Sequence, residues 1–353
     1  MQNFFSTKKG IVLTGLIIGG SATLLQKLGN PPNMGICVAC MERDIAGALG
    51  FHRADVVQYI RPEIIGLVLG AFFAALAFKE FKPRTGSAPI VRFILGIFAM
   101  IGSLVFLGCP WRALLRLAGG DVNAIIGLCG LVLGIFIGVL FIKSGYNLGR
   151  NRKTFKLAGL MLPMIMLVLL FFLLFPPATI FFSVKGPGSM HAPILISLSV
   201  AILIGFLAQR TRFCTMGAFR DIFIVKDFHL MSGITALLIG AFVTNLIFKQ
   251  FHPGFVNQPI AHSNILWNFL GMVLAGLAFA LAGGCPGRQL FLSGEGDGDA
   301  AIFVVGMIAG AAISHNLAMA SSPKGTAAWG PIGVIVGLGV CLLIGFTMRG
   351  ALE

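Results

Sequence analysis

Gly283-Gly284-Cys285-Pro286-Gly287-Arg288-Gln289 closes a long apolar run and then stops it. Glycine and proline break the helix, and a thiol is left beside a guanidinium. Gly108-Cys109-Pro110-Trp111-Arg112 does the same earlier in the chain, again at the end of an apolar run of membrane length. Proline suits the first position of a short helix, where its missing N–H would have no partner anyway. Such a helix turns free N–H groups and the positive end of its dipole toward the cysteine, which suits an anion. Arg112 and Arg288 add fixed positive charge. For one copy alone, a helix break with an arginine reaching a lipid headgroup is an equal account. Two copies point to one pathway.

The surroundings are a membrane protein. The chain has 353 residues, 57% hydrophobic and 11% charged, where soluble domains carry about 25% charged residues. Apolar runs recur along its whole length. Ten spanning helices are expected, at about 11–27, 62–78, 90–108, 122–142, 157–175, 192–209, 229–248, 264–283, 300–318 and 330–348. The fold class is thus an all-α polytopic membrane protein. The first run follows Lys8 and Lys9 without a small-residue cleavage site, so it reads as a retained helix. Glycines four apart, at Gly15/Gly19, Gly66/Gly70, Gly130/Gly134/Gly138, Gly306/Gly310 and Gly333/Gly337, predict close helix contacts.

Four shorter segments, 34–48, 110–118, 213–225 and 286–292, read as re-entrant helices, each carrying cysteine and arginine. Irregular backbone at membrane depth needs cover from protein or a water-filled cavity. These segments also repeat. Cys37-x5-Arg43-Asp44-Ile45 matches Cys214-x5-Arg220-Asp221-Ile222, and Cys109-Pro110-x-Arg112 matches Cys285-Pro286-x-Arg288. Residues 1–145 thus form a first repeat, 146–190 a connecting helix, 191–320 a second repeat and 321–353 a final helix. Five crossings separate equivalent helices, so the second repeat is inverted. Two funnels follow, an outer one with Cys37 and Cys109 and an inner one with Cys214 and Cys285.

With the N-terminus in the cytoplasm, most of the 26 lysines and arginines fall on the inside, and both termini are cytoplasmic. The net charge of +14 reads as this bias, not as nucleic-acid binding. Seven cysteines in apolar surroundings exclude a secreted disulfide framework. The histidines show no ligand spacing, so no metal or cofactor is expected. Asp44 and Asp221 are expected to neutralise Arg43 and Arg220 and fix the re-entrant turns, while the arginines also face the path. Cys40 makes Cys37-x-x-Cys40, yet Gly217 stands at its place in the second repeat; likewise Trp111 occupies the position where the second repeat has Gly287. Cys129 and Cys341 read as core, 294–299 as a flexible cytoplasmic loop rather than a calcium site, and His315-Asn316 as facing either a cavity or a neighbouring helix.

The repeated Gly-Cys-Pro-x-Arg, the Cys-x5-Arg-Asp pair and Leu114–Asp121 together resemble the YeeE/YedE family of sulfur-compound transporters. The stretch Gly29–Arg53 is similar to its YedE (FdhT) selenium-metabolism branch. The resemblance implies an hourglass of inverted repeats in a bacterial inner membrane and uptake of a small sulfur- or selenium-containing anion. It also implies cysteines that pass the anion along by S–H···S hydrogen bonds, Cys109 and Cys285 first and Cys37 and Cys214 next. A small cytoplasmic TusA-like protein (YedF in this branch) is the implied partner. The residues leave two other functions open: a membrane thiol–disulfide or sulfur-transfer enzyme, and an anion channel using arginines alone.

Overall fold

The computed structural model describes residues 2–349. In chain order the helices are α1 (Gln2–Phe5), α2 (Lys8–Lys27), α3 (Val38–Ala48), α4 (Pro62–Ala77), α5 (Pro89–Phe106), α6 (Pro110–Ala118), α7 (Asn123–Lys143), α8 (Lys156–Leu174), α9 (Ile194–Thr211), α10 (Thr215–Val225), α11 (His229–Ile247), α12 (Ile265–Ala282), α13 (Pro286–Gly294), α14 (Gly298–Asn316) and α15 (Gly330–Thr347). The only strands among the described residues are Arg84–Thr85 and Arg152–Lys153, an antiparallel pair with Arg84 opposite Lys153.

Nine spans among the described residues are long and apolar enough to cross a membrane. The tenth expected span, α4, has 16 residues, or about 24 Å of helix against a hydrocarbon core of about 30 Å. It starts at Pro62, where it was expected, and it is enclosed by α8, α9 and α13. The four expected re-entrant segments are the short helices α3, α6, α10 and α13. Leucines, phenylalanines and methionines exposed along α7, α8, α11 and α15 give the bundle an apolar outer belt, as a lipid-facing surface requires.

Helix pairing follows the glycines. A methyl group on Gly15 would lie 2.1 Å from the Gly233 carbonyl oxygen, one on Gly70 2.1 Å from that of Ile202, and one on Gly134 2.1 Å from that of Val273. No side chain fits in those spaces, so α2 lies on α11, α4 on α9 and α7 on α12 with backbones in near contact. Helix α5 lies on α14 in the same way, with Gly306 against Phe93. Exchanging α2 with α9, α4 with α11, α5 with α12 and α7 with α14 maps this set of contacts onto itself.

Two expectations are corrected. Cys129 is not core: it is exposed on α7, in an apolar groove shared with α6, α10 and α11. Cys341 is buried as expected. Residues 294–299 form a built turn. Asp297 caps α14 by accepting from the Ala300 amide at 3.0 Å and pairs with Arg84 at 2.7 Å. Asp299 accepts from the amides of Gly86 and Ser87. His315 and Asn316 fasten α14 to the loop after α3: His315 stacks on His52 at 4.3 Å and Asn316 donates to the Phe51 carbonyl.

Candidate functional site

The four matched cysteines occupy one structural position. Cys37, Cys109, Cys214 and Cys285 are the N-cap residues of α3, α6, α10 and α13. Cys37 accepts from the Cys40 amide at 3.4 Å, and Cys214 accepts from the Gly217 amide at 3.2 Å. Cys109 and Cys285 are followed by proline at the first helical position, and their thiols make no capping bond. The thiols meet in pairs. The sulfurs of Cys37 and Cys109 lie 3.8 Å apart, and so do those of Cys214 and Cys285. That is hydrogen-bonding distance for sulfur and far beyond the ~2.05 Å of a disulfide. Each pair therefore joins the positive ends of two helix dipoles.

The glycine of Gly-Cys-Pro-x-Arg has a local reason. A methyl group on Gly108 would lie 2.9 Å from Cδ of Arg112, and one on Gly284 would lie 3.2 Å from Cγ of Arg288. The arginine folds back over the glycine, beside the cysteine of its own motif. The breaks before the two motifs are also alike, since Leu107 and Gly283 both end their helices in the left-handed region. Leu107 has no glycine's freedom there; its carbonyl is held by Arg112.

The two arginines end in different surroundings. Arg112 is fully buried. It donates to the carbonyls of Asn33, Leu107 and Ile260, and to the Cys40 sulfur at 3.5 Å. Its donors go to carbonyls and a sulfur, and none of the described ion pairs gives it a carboxylate. A lipid headgroup is out of its reach. Arg288 reaches Glu295 at 3.4 Å and lines an open vestibule of about 510 Å³. Arg210, Arg212, Arg220 and Cys214 line the same vestibule, together with Asp221, Asp227 and Ser6. Ser6 puts the N-terminal end of α2 on the side of the Cys214–Cys285 pair.

The Arg-Asp pairs follow the same split. Arg43 meets Asp44 at 2.6 Å in a buried pair, and the other Asp44 oxygen binds Arg61 at 2.7 Å. Arg61 continues to the carbonyls of Met190 and Pro187. Arg43 and Arg61 thus share the one buried carboxylate of Asp44. Arg220 meets Asp221 at 2.8 Å and faces the vestibule.

Three residues gained significance only in three dimensions. Arg61 lies outside every motif. Glu42 is wholly buried, with both carboxyl oxygens unpartnered; a charge-bearing residue in a re-entrant segment was the signal available. Trp111 is buried with its Nε1 unpartnered. Its mismatch with Gly287 was visible, but not what it touches. No cluster of three or more histidine, cysteine or acidic groups able to hold a metal occurs among the described residues.

Residues 210–348 match the profile of a family described as "Sulphur transport". The chain is similar to the thiosulfate transporter TsuA of Escherichia coli K12, 35% identical over 108 residues that cover 30% of either protein. It is also similar to the thiosulfate transporter TsuA of Spirochaeta thermophila, 31% identical over 103 residues, 29% of this chain and 31% of that one. The aligned stretches thus span about three tenths of these relatives.

Proposed function

We propose that the chain, whose residues 210–348 match the "Sulphur transport" family, is a member of the YeeE/YedE family and carries a small sulfur- or selenium-containing anion across a bacterial inner membrane. Two inverted repeats, residues 1–145 and 191–320, form the two ends of the path, and residues 146–190 join them. The Cys37–Cys109 pair is the outer station, the Cys214–Cys285 pair the inner one, and both termini lie in the cytoplasm. The self-mapping helix contacts and the odd number of crossings support this arrangement.

The observation that carries the reading is that each of the four cysteines caps a broken helix and the thiols meet in pairs. An anion leaving water needs charge and donors waiting for it. The helix N-termini and the buried, carboxylate-free Arg112 supply the field. The thiols supply weak donors matched to a soft sulfur or selenium atom, weak enough to let it go. A TusA-like protein collecting the anion fits the basic inner vestibule. An arginine-only channel is less well supported, because Arg112 already spends its donors on carbonyls and Cys40. A disulfide enzyme is less well supported because each pair is half of a two-sided arrangement.

The test is uptake of labelled thiosulfate and selenite into proteoliposomes. Cys109→Ala and Cys285→Ala are each expected to lower uptake at least about tenfold, the scale of one lost hydrogen bond to a charged ligand. Uptake equal to wild type in both variants, with normal insertion, would falsify the thiol path.

A further inference from the structure

One side chain of the first Gly-Cys-Pro motif reaches the second. Trp111 follows Cys109-Pro110 at the start of α6, and its ring lies against Gly287, which follows Cys285-Pro286 at the start of α13. A methyl group on Gly287 would come 3.1–3.6 Å from three atoms of the indole. The ring meets Phe213, the neighbour of Cys214, edge-on at 5.9 Å, and Phe291 of α13 at 6.1 Å. Trp111 thus touches residues flanking both inner cysteines while sitting two positions from an outer one. It is 2% exposed, and its Nε1 has no hydrogen-bond partner. A buried indole N–H ordinarily finds an acceptor, and leaving it bare is costly.

Building on the thiol path, we infer that Trp111 is the midplane gate, and that its indole N–H is the donor an anion meets in passing from Cys109 to Cys285. The ring closes the path to water and to anions that bring no gain on displacing it. Gly287 gives the ring its seat, which explains why a tryptophan stands at one matched position and a glycine at the other. Phe213 and Phe291 are hydrocarbon walls that offer the anion nothing, so of the three rings packed here only the indole carries a donor. The unpartnered Nε1–H is then a donor awaiting its acceptor.

The test uses the full chain in proteoliposomes, with labelled thiosulfate and selenite for uptake and iodide for leak. Trp111→Phe keeps a ring without the N–H. It is expected to lower uptake about tenfold or more, the scale of one lost hydrogen bond to a charged ligand, with iodide leak at the wild-type level. Trp111→Ala removes the ring and is expected to admit iodide. Wild-type uptake by Trp111→Phe overturns the donor, and an iodide-tight Trp111→Ala overturns the gate. Should Trp111→Ala fail to insert, Gly287→Val decides: slowed uptake supports the seat, and an unchanged rate overturns it. A direct reading comes from a Trp267→Phe, Trp329→Phe background, in which Trp111 is the sole tryptophan. Thiosulfate should shift its emission there, and no shift at saturating uptake overturns the contact. If Cys285→Ala loses uptake while Trp111→Phe keeps it, this inference fails and the thiol path stands. If the cysteine variants transport normally, the path itself fails.

Discussion

The two thiol pairs are built alike and housed differently. Around Cys37 the connecting loops are long: residues 28–37 lead into α3 and 49–61 lead out of it. Around Cys214 the equivalent connections are 212–214 and 226–228. The long loops, with the segment before α9, form a cover pinned by Arg61, by the Tyr59 amide on the Asp44 carbonyl and by the Gly188 amide on the Val56 carbonyl. Residues 249–263 close the remaining side, where Ile260 accepts from Arg112 and His252 donates to the Gly119 carbonyl. The short loops leave a vestibule. One motif therefore produces a sealed station and an open one, and the difference lies in what the loops reach. Ion pairs of the same sequence then sit in different dielectrics, which changes what each is worth.

The comparison breaks most visibly at the aspartates. Asp44 binds two buried arginines, so Asp44→Ala strands two charges and is expected to cost about 3–5 kcal/mol, read as a lower unfolding temperature in detergent. If Asp44→Ala unfolds like wild type, the cover is not held as described. Next come the thiols as probes of access. A membrane-impermeant maleimide should label Cys214 through the vestibule roughly tenfold faster than Cys37 or Cys109. Equal rates would show that the sealed and open stations interconvert freely. Cys40→Gly gives the outer station the inner station's sequence and removes the sulfur that Arg112 touches. Uptake should fall by about tenfold at most, one charge-assisted bond, and complete loss would make Cys40 part of the shared machinery. Asp221→Ala should matter least, under about 1 kcal/mol, because its pair with Arg220 faces the vestibule water.

How far the chain could be read in advance follows the same division. The ten apolar helices, the short α4 included, the four short helices and the grouping of Cys37 with Cys109 and of Cys214 with Cys285 were legible from apolar runs, Gly-Pro breaks and the repeat; that the thiols meet was not. The acidic turn at 294–299 was misjudged because its partners, Arg84 and residues 85–87, lie some two hundred residues away in sequence. Cys129 was misjudged because α7 is apolar all round, so periodicity cannot tell its lipid face from its protein face.

By itself the sequence determined where helices run and stop, since in lipid each backbone group must be satisfied within its own helix or by close cover. It also determined that Cys109 and Cys285 stand before short helices, since Gly-Cys-Pro is a local instruction. Tertiary structure alone decided which station is sealed, that Arg112 stands without a carboxylate, that Glu42 is unpartnered and that Trp111 rests on Gly287. These depend on contacts between segments distant in the chain, and no local rule of helix chemistry specifies them.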